Sequence, residues 1–173
     1  AAEFGILFKG GEHLEITHRI TTVVLDKTGT VTNGTPILTD VITDQLFNEE
    51  ELLSLIGSAE KQSEHPLAQA IVQGIKDKGI TFKDVTEFEA IPGFGIKAMV
   101  DGKELLVGTR KLMNKYQVDA DAAYEKMDEL ERAGKTAMLT AINGQYAGTV
   151  AVADTIKDTS KSAINRLITM GLD

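Results

Sequence analysis

The sequence predicts an α/β architecture in which a domain built on an antiparallel sheet flanked by helices is inserted into an incomplete α/β domain. Three observations carry this. Two pairs of strand-like runs turn on Asp101-Gly102 and Asn143-Gly144, dipeptides that favour tight antiparallel hairpins. Helical periodicity with clear start signals lies before and between those hairpins. The first and last segments, 1–36 and 153–173, break the pattern and read as two pieces of one interrupted domain around an insert at 37–152.

Taken in order, the chain opens with a short apolar run, Ile6-Leu7-Phe8, and a glycine turn at Gly10-Gly11. Glu12–His18 is expected to form a short helix with His13 and His18 facing solvent. Val23-Val24-Leu25 is β-branched-rich and uncharged, so Thr21–Asp26 is expected to be a buried strand ending on Asp26. Asn33-Gly34 and Pro36 predict a turn, followed by a strand at Ile37–Thr43. Asn48 caps a helix that runs to about Glu60, with Glu51 completing a capping box. Pro66, a favoured first helical residue, opens a second helix that continues to about Gly79.

Val85–Ile91 is expected to be a strand, interrupted by Pro92-Gly93-Phe94-Gly95. Ile96–Val100 and Lys103–Val107 form the first hairpin, and Gly108 falls at its strand end. A helix from Asp119 to about Ala133 stops at Gly134. Ala137–Ile142 and Gln145–Val152 form the second hairpin. After Asp154-Thr155-Ile156-Lys157-Asp158, a last helix turns Ala163, Ile164, Leu167 and Ile168 inward and stops at Gly171.

Composition narrows the function classes. The 173 residues are 42% hydrophobic and 25% charged, values of an ordinary globular chain. The formal net charge of −8 argues against nucleic acid as a partner. With no cysteine and only three scattered histidines, neither a disulfide framework nor a Cys- or His-built metal site is expected. No apolar run reaches membrane-spanning length, so the chain is expected to be soluble.

The chemistry centres on Asp26-Lys27-Thr28-Gly29-Thr30. An ionisable side chain at the end of an apolar run is poorly explained by packing, and carboxyl ends of strands are where open α/β sheets bind ligands. Hydroxyls and a glycine turn suit a phosphoryl group. A second constellation is Ser63-Glu64-His65-Pro66-Leu67, with Glu60 closing the helix before it. A carboxylate can accept from an exocyclic amine, and a neutral imidazole can hydrogen-bond or stack on a base. Gly93-Phe94-Gly95-Ile96-Lys97-Ala98 fits the form G-x-G-x-x-A, but a strand follows it rather than a helix, so the dinucleotide reading is rejected. Its glycines make a turn, or let a ligand come close to the backbone.

Asp26-Lys27-Thr28-Gly29-Thr30 is, as it stands, the phosphorylation motif of the P-type ATPases. Over essentially its whole length the chain resembles the heavy-metal-transporting members of that family, and copper transporters most. The resemblance implies an inserted nucleotide-binding domain at 37–152 and an incomplete haloacid dehalogenase-like α/β phosphorylation domain at 1–36 and 153–173. It implies that Asp26 accepts the γ-phosphoryl group of ATP, that Lys27 and Thr28 help to position it, and that Asp26 and Thr28 contribute to a Mg²⁺ site completed by residues outside this chain. It carries adenine and ribose contacts onto Glu60, His65, Gly93, Gly95, Ile96, Gly108 and Thr109. Thr109 stands where Asn is common in the family. Lys9-Gly10-Gly11 with Glu15 looks like the segment after the last metal-binding membrane helix, and Asp154-Thr155-Ile156-Lys157 like the return hinge.

The family's Thr-Gly-Asp segment, its Gly-Asp-Gly-x-Asn-Asp loop and its Cys-Pro-Cys membrane helix do not occur in these 173 residues. The expectation is therefore a soluble portion from the cytoplasmic face of a membrane pump, whose own membrane helices and actuator domain are its partners, and which binds ATP with little turnover. A haloacid dehalogenase-like phosphatase is the alternative enzyme. It is disfavoured because Thr28 occupies the position where such phosphatases carry a second Asp. A zinc or cadmium pump is the alternative transporter, and a non-catalytic interaction module is the alternative outside enzymes.

Overall fold

The computed structural model describes residues 5–7 and 9–173, and Phe8 of the predicted apolar run lies outside them. The chain divides into two compact units, Ala1–Asn33 with Ile156–Asp173, and Gly34–Thr155.

Within Gly34–Thr155 the two hairpins turn where the sequence requires. Asp101 and Asn143 adopt φ of 51° and 49°, and Gly102 and Gly144 follow at 74° and 78°, the positive values that a tight two-residue turn needs at both central positions. The strands are β1 (Thr32–Thr43), β2 (Val85–Ile91), β3 (Gly95–Val100), β4 (Lys103–Gly108), β5 (Thr136–Ile142) and β6 (Gln145–Ile156). They form one six-stranded sheet in the order β1-β6-β5-β4-β3-β2. The ladders from β2 through β6 are antiparallel.

Alternation along the strands sorts side chains onto two faces. Ile96, Ala98, Val100, Leu105, Val107, Val150 and Val152 pack with Leu52, Leu53, Ile56, Ile71 and Ile75, the apolar stripes of α2 (Glu49–Glu60) and α3 (Pro66–Asp77). On the other face Leu106, Leu139, Ala141 and Ala151 pack with Leu112, Met113, Met127 and Leu130, from α4 (Arg110–Lys115) and α5 (Asp121–Arg132). The central strands β4, β5 and β6 are thus buried between two helical layers, while β2 at one edge is largely exposed.

Two local expectations need correction in this unit. Asn33–Pro36 is not a turn: it lies inside β1. The strand is at the sheet edge, where Pro and Gly are tolerated because one row of backbone groups needs no partner strand. Gly34, at φ 79°, instead donates its N–H to Asp154 Oδ1 at 2.9 Å. The capping box at α2 is half formed. Asn48 Oδ1 accepts from the Glu51 N–H at 3.1 Å, but the Glu51 carboxylate is ion-paired with Lys103 instead of reaching back. Helix α4, six residues long, is an additional element that periodicity does not predict.

In the other unit, the N-terminal helix α1 spans Gly11–Ile16 and continues as a 3₁₀ turn to Arg19, with His13 and His18 exposed. The expected strand at Thr21–Asp26 is absent, and Val24 is 92% exposed. Among the described residues two ladder-type bonds reach the segment: Asp173 N–H donates to the Thr21 carbonyl at 2.9 Å, and Val23 N–H to the Asp173 carbonyl at 2.8 Å. That is the parallel pattern around a single residue, too short for a strand. An apolar run is buried only where another element covers it. The same reason applies to α6 (Asp158–Thr169): Ile164 and Leu167 are half-buried, while Ala163 and Ile168 are exposed rather than inward.

Candidate functional site

The residues expected to contact a nucleotide come from four separate parts of Gly34–Thr155. Glu60 is the last residue of α2. Ser63 N–H bonds the Glu60 carbonyl at 2.9 Å, which turns the chain at once toward α3. His65 is the N-cap of α3, held extended at φ −68°, ψ 136° before Pro66. Its Nδ1 accepts from the Leu67 N–H at 3.2 Å. In the neutral ring the proton is therefore on Nε2, which is left to donate outward. The Ser63 hydroxyl accepts the His65 N–H at 3.3 Å and fixes the approach to the cap.

Gly93 sits at the third position of the turn Ile91-Pro92-Gly93-Phe94. Phe94 N–H closes the turn on the Ile91 carbonyl at 3.0 Å, and Gly93 takes φ 77°. Pro then Gly at the two central positions is the signature of a type II turn. Gly95 pairs with Gly108 across β3 and β4. Thr109 follows directly and ties itself to the turn: its N–H donates to the Phe94 carbonyl at 2.8 Å and its Oγ1 to the same oxygen at 3.1 Å.

All seven of these residues, Glu60, His65, Gly93, Gly95, Ile96, Gly108 and Thr109, line one cavity of about 420 Å³. That volume falls within the range of small-molecule sites. Ile96 and Val107 supply an apolar wall. Ser63, from the same motif as His65, also lines the cavity, as do Thr136 and Met138, which no sequence motif marks. The cavity lies at the end of the sheet where β2 and β4 finish and β3 and β5 begin.

Glu60 is the one ionisable group buried there, at 5% exposure. Burial pushes its carboxyl up to about 7, because the charged form loses its hydration. Near neutral pH a large share of it is protonated, so it can donate as well as accept a hydrogen bond. A buried acid, an imidazole N–H and an apolar wall in one cavity suit a flat, polar-edged heterocycle.

The motif Asp26–Thr30 belongs to the other unit. Asp26 is exposed and extended, at φ −65°, ψ 143°. Lys27–Val31 is a tight loop in which Gly29 takes φ 78°. Thr32 closes it: its N–H and, at 3.0 Å, its Oγ1 donate to the Lys27 carbonyl, while Oγ1 accepts the Gly29 N–H at 3.2 Å. Lys157 Nζ donates to the Gly29 carbonyl at 2.6 Å, and the Ser160 hydroxyl to the Val31 carbonyl at 2.7 Å. The loop is thus clamped by both segments of its unit. Among the described residues no group of three or more His, Cys, Asp or Glu is placed to hold a metal. Asp26 and the Thr28 carbonyl are oxygen donors of the kind a hard cation takes, and Mg²⁺ commonly binds through one or two carboxylates with waters filling the remaining positions.

Among the described residues no helix is long and apolar enough to cross a membrane. The haloacid dehalogenase-like hydrolase family matches residues 20–173. The copper-exporting P-type ATPase of Bacillus subtilis (strain 168) is 60% identical over 173 residues, covering all of this chain and 22% of that protein. A zinc-transporting PIB-type ATPase, solved in the E2.Pi state, superimposes with a TM-score of 0.89 at 36% identity, covering 100% of this chain and 28% of that one. The catalytic domain of the CPx-ATPase CopB-B, solved in a study of its conformational changes upon nucleotide binding, gives a TM-score of 0.67 at 26% identity, covering 96% and 57%. The chain thus spans about a fifth of the length of the curated relatives it matches. It belongs to the haloacid dehalogenase-like hydrolase family, and within that family it is homologous to the P-type ATPases.

Proposed function

We propose that this chain is the ATP-binding and phosphoryl-accepting portion of a P-type ATPase that transports a heavy-metal ion, copper by preference. The insert at 37–152 is then the nucleotide-binding domain, and 1–36 with 153–173 is part of the phosphorylation domain. The observation that carries this reading is the convergence of Glu60, His65, Gly93, Gly95, Ile96, Gly108 and Thr109 on one cavity. Copper is favoured over zinc or cadmium by the names of the relatives at 52–60% identity.

In this reading the adenine enters the cavity edge-on. Glu60 and the Nε2–H of His65 contact its polar edge, and Ile96 packs on its face. Asp26, in the other unit, is the phosphoryl acceptor. Its carboxylate oxygen forms a bond to the γ-phosphorus while the bond to the β–γ bridging oxygen breaks, and ADP leaves with that oxygen. Lys27 balances charge, and the clamps from Lys157 and Ser160 hold the loop in shape. Asp26 and the Thr28 carbonyl would hold Mg²⁺, whose contribution when bound is to neutralise phosphate charge. Thr28 has no carboxyl with which to act as the general acid/base of a phosphatase. That disfavours rapid hydrolysis of small phosphomonoesters and suits a phosphoenzyme that persists.

The test is calorimetric titration of ATP into the wild type and His65→Asn, which keeps a helix cap and removes the imidazole. Affinity is expected to fall about tenfold, equivalent to about 1.4 kcal/mol. Equal binding by both proteins would move the base site elsewhere. Little steady-state turnover is expected of the chain alone, and rapid Asp26-dependent hydrolysis would contradict the assignment.

A further inference from the structure

A second depression, of about 630 Å³, adjoins the cavity described above: Gly93, Thr109, Thr136 and Ala137 line both. Its far side carries Arg110, Lys111 and Lys135, together with the Glu131 carboxylate. Three cations on one rim are notable in a chain of net charge −8. We propose that this depression is an anion subsite that takes the polyphosphate tail of the nucleotide, and that Lys111 is the cation that meets it. The proposal rests on the base-binding reading above and assigns the direction in which the tail leaves.

The three cations are not equivalent. Arg110 is held by Asp128 and Glu131, the latter at 2.9 Å, and lies 5.5 Å from the Tyr124 ring centre. Lys135 is paired with Asp40 at 2.6 Å. Both charges are already answered by carboxylates. Lys111 is exposed and forms no ion pair among the described residues. It is the cation of this rim that an incoming anion can take without displacing a carboxylate. The repulsion that Glu131 would exert on the anion is offset by Arg110, which donates to both its oxygens at 2.9 and 3.2 Å.

Position agrees with charge. The saddle between the two hollows is made by Gly93, by Thr109, and by Thr136 and Ala137 at the start of β5. Gly93 has nothing within 4 Å of where a Cβ would stand, so the saddle is open on that side. Thr136 pairs with Val152 of β6, near the end at which the chain leaves this unit after Thr155. A tail crossing the saddle therefore runs toward the linker end of the unit and away from its hairpin end.

The experiment compares adenosine, AMP, ADP, ATP and inorganic tripolyphosphate on the whole chain, at low and moderate salt, for wild type, Lys111→Glu, Lys111→Arg and His65→Asn. The expected result is that Lys111→Glu weakens ATP on the order of tenfold, weakens ADP less, and leaves adenosine unchanged. Lys111→Arg should restore ATP binding, and the wild-type preference for ATP over adenosine should shrink as salt rises. If Lys111→Glu leaves the ATP-to-adenosine ratio unchanged while His65→Asn still weakens every nucleoside, the subsite is overturned and the base site stands. If adenosine and AMP do not bind but tripolyphosphate binds in a Lys111-dependent way, the anion subsite stands and the base-binding reading fails.

Discussion

Gly95 and Gly108 face one another across the β3–β4 ladder, and neither has room for a side chain. A Cβ on Gly95 would lie 2.1 Å from the Val107 carbonyl oxygen and 2.6 Å from Gly108 Cα. One on Gly108 would lie 2.2 Å from the Phe94 carbonyl oxygen. The obstacles are backbone, which cannot rotate aside. Gly95 also sits at φ 141°, which L side chains rarely adopt. The sequence motif left a turn and ligand approach open for Gly95, whereas the structure supplies a packing requirement that holds with or without ligand.

The first prediction follows from that pair. Gly95→Ala and Gly108→Ala should each destabilise the protein by roughly 3 kcal/mol or more, read as a lower urea midpoint. Gly93→Ala differs, since its Cβ position is open and only the positive φ is strained. It should cost about 1 kcal/mol. Of the three glycines, Gly93 is therefore the one at which a change in nucleotide affinity can be separated from loss of fold.

Glu60 leads to a pH dependence with a defined sign. Its carboxyl stands at about 7 in the folded chain against 4.5 for the free group, raised by burial. Between those values the folded state holds a proton that the unfolded state has released. Stability must therefore fall as pH rises from about 4.5 to 7, by up to about 3 kcal/mol from this group alone. Glu60→Gln keeps the shape and removes the ionisation. Urea unfolding of the two proteins at pH 5, 6, 7 and 8 should show the variant gaining relative stability across that window, and parallel curves would refute the assignment.

Much of the fold was legible because its determinants are local. The φ-positive pairs Asp101-Gly102 and Asn143-Gly144 and the entry His65-Pro66 act within a few residues, and the corresponding hairpins and helix form. What failed depended on neighbours in space. Val23-Val24-Leu25 has the composition of a buried strand, yet among the described residues only Asp173 pairs beside it and no ladder develops. Asn33–Pro36 has the composition of a turn, yet it lies within an edge strand that accommodates Gly34 at positive φ. Helix α4 is six residues long, too short for periodicity to register.

The site divides in the same way. Glu60 and His65 lie five positions apart and are brought together by one turn, so a motif in the sequence marks them. Ser63 was within that motif, but its hydrogen bond to the His65 N–H was not inferable from residue type. Thr136 and Met138 reach the cavity only because β5 pairs with β4 in one register, with Leu139 opposite Gly108. Nothing in their local sequence announces that.

The loop after Asp26 should respond to changes far along the chain. Ser160 is buried and donates to the Val31 carbonyl, and Lys157 holds Gly29. Ser160→Ala leaves that carbonyl with one donor fewer and should cost about 1 kcal/mol. Amide exchange between Lys27 and Thr32 should quicken in Ser160→Ala and in Lys157→Met, while exchange in β3 and β4 stays unchanged. Equal acceleration throughout would show that the clamp has no local role.

Thr140 is fully buried, and among the described residues its hydroxyl has no hydrogen-bond partner. Replacing it with valine keeps the shape and removes an unanswered polar group. Thr140→Val should stabilise the protein by about 1 kcal/mol, seen as a higher melting temperature with unchanged nucleotide affinity. A loss of stability would mean that the hydroxyl has a partner in solution, such as a buried water.

His65 has two duties that a single substitution confuses. Its Nδ1 caps α3 through the Leu67 N–H, and its other nitrogen is free to meet a ligand in the cavity. His65→Ala removes both, so it should lower stability by about 1 kcal/mol as well as weakening ATP binding. His65→Asn restores a capping oxygen without the ring. If both substitutions weaken ATP about equally while only the alanine lowers the urea midpoint, the imidazole acts on the nucleotide directly. If asparagine restores binding together with stability, the ring's role is to shape the entry to α3, and Glu60 with the glycine turns must carry recognition.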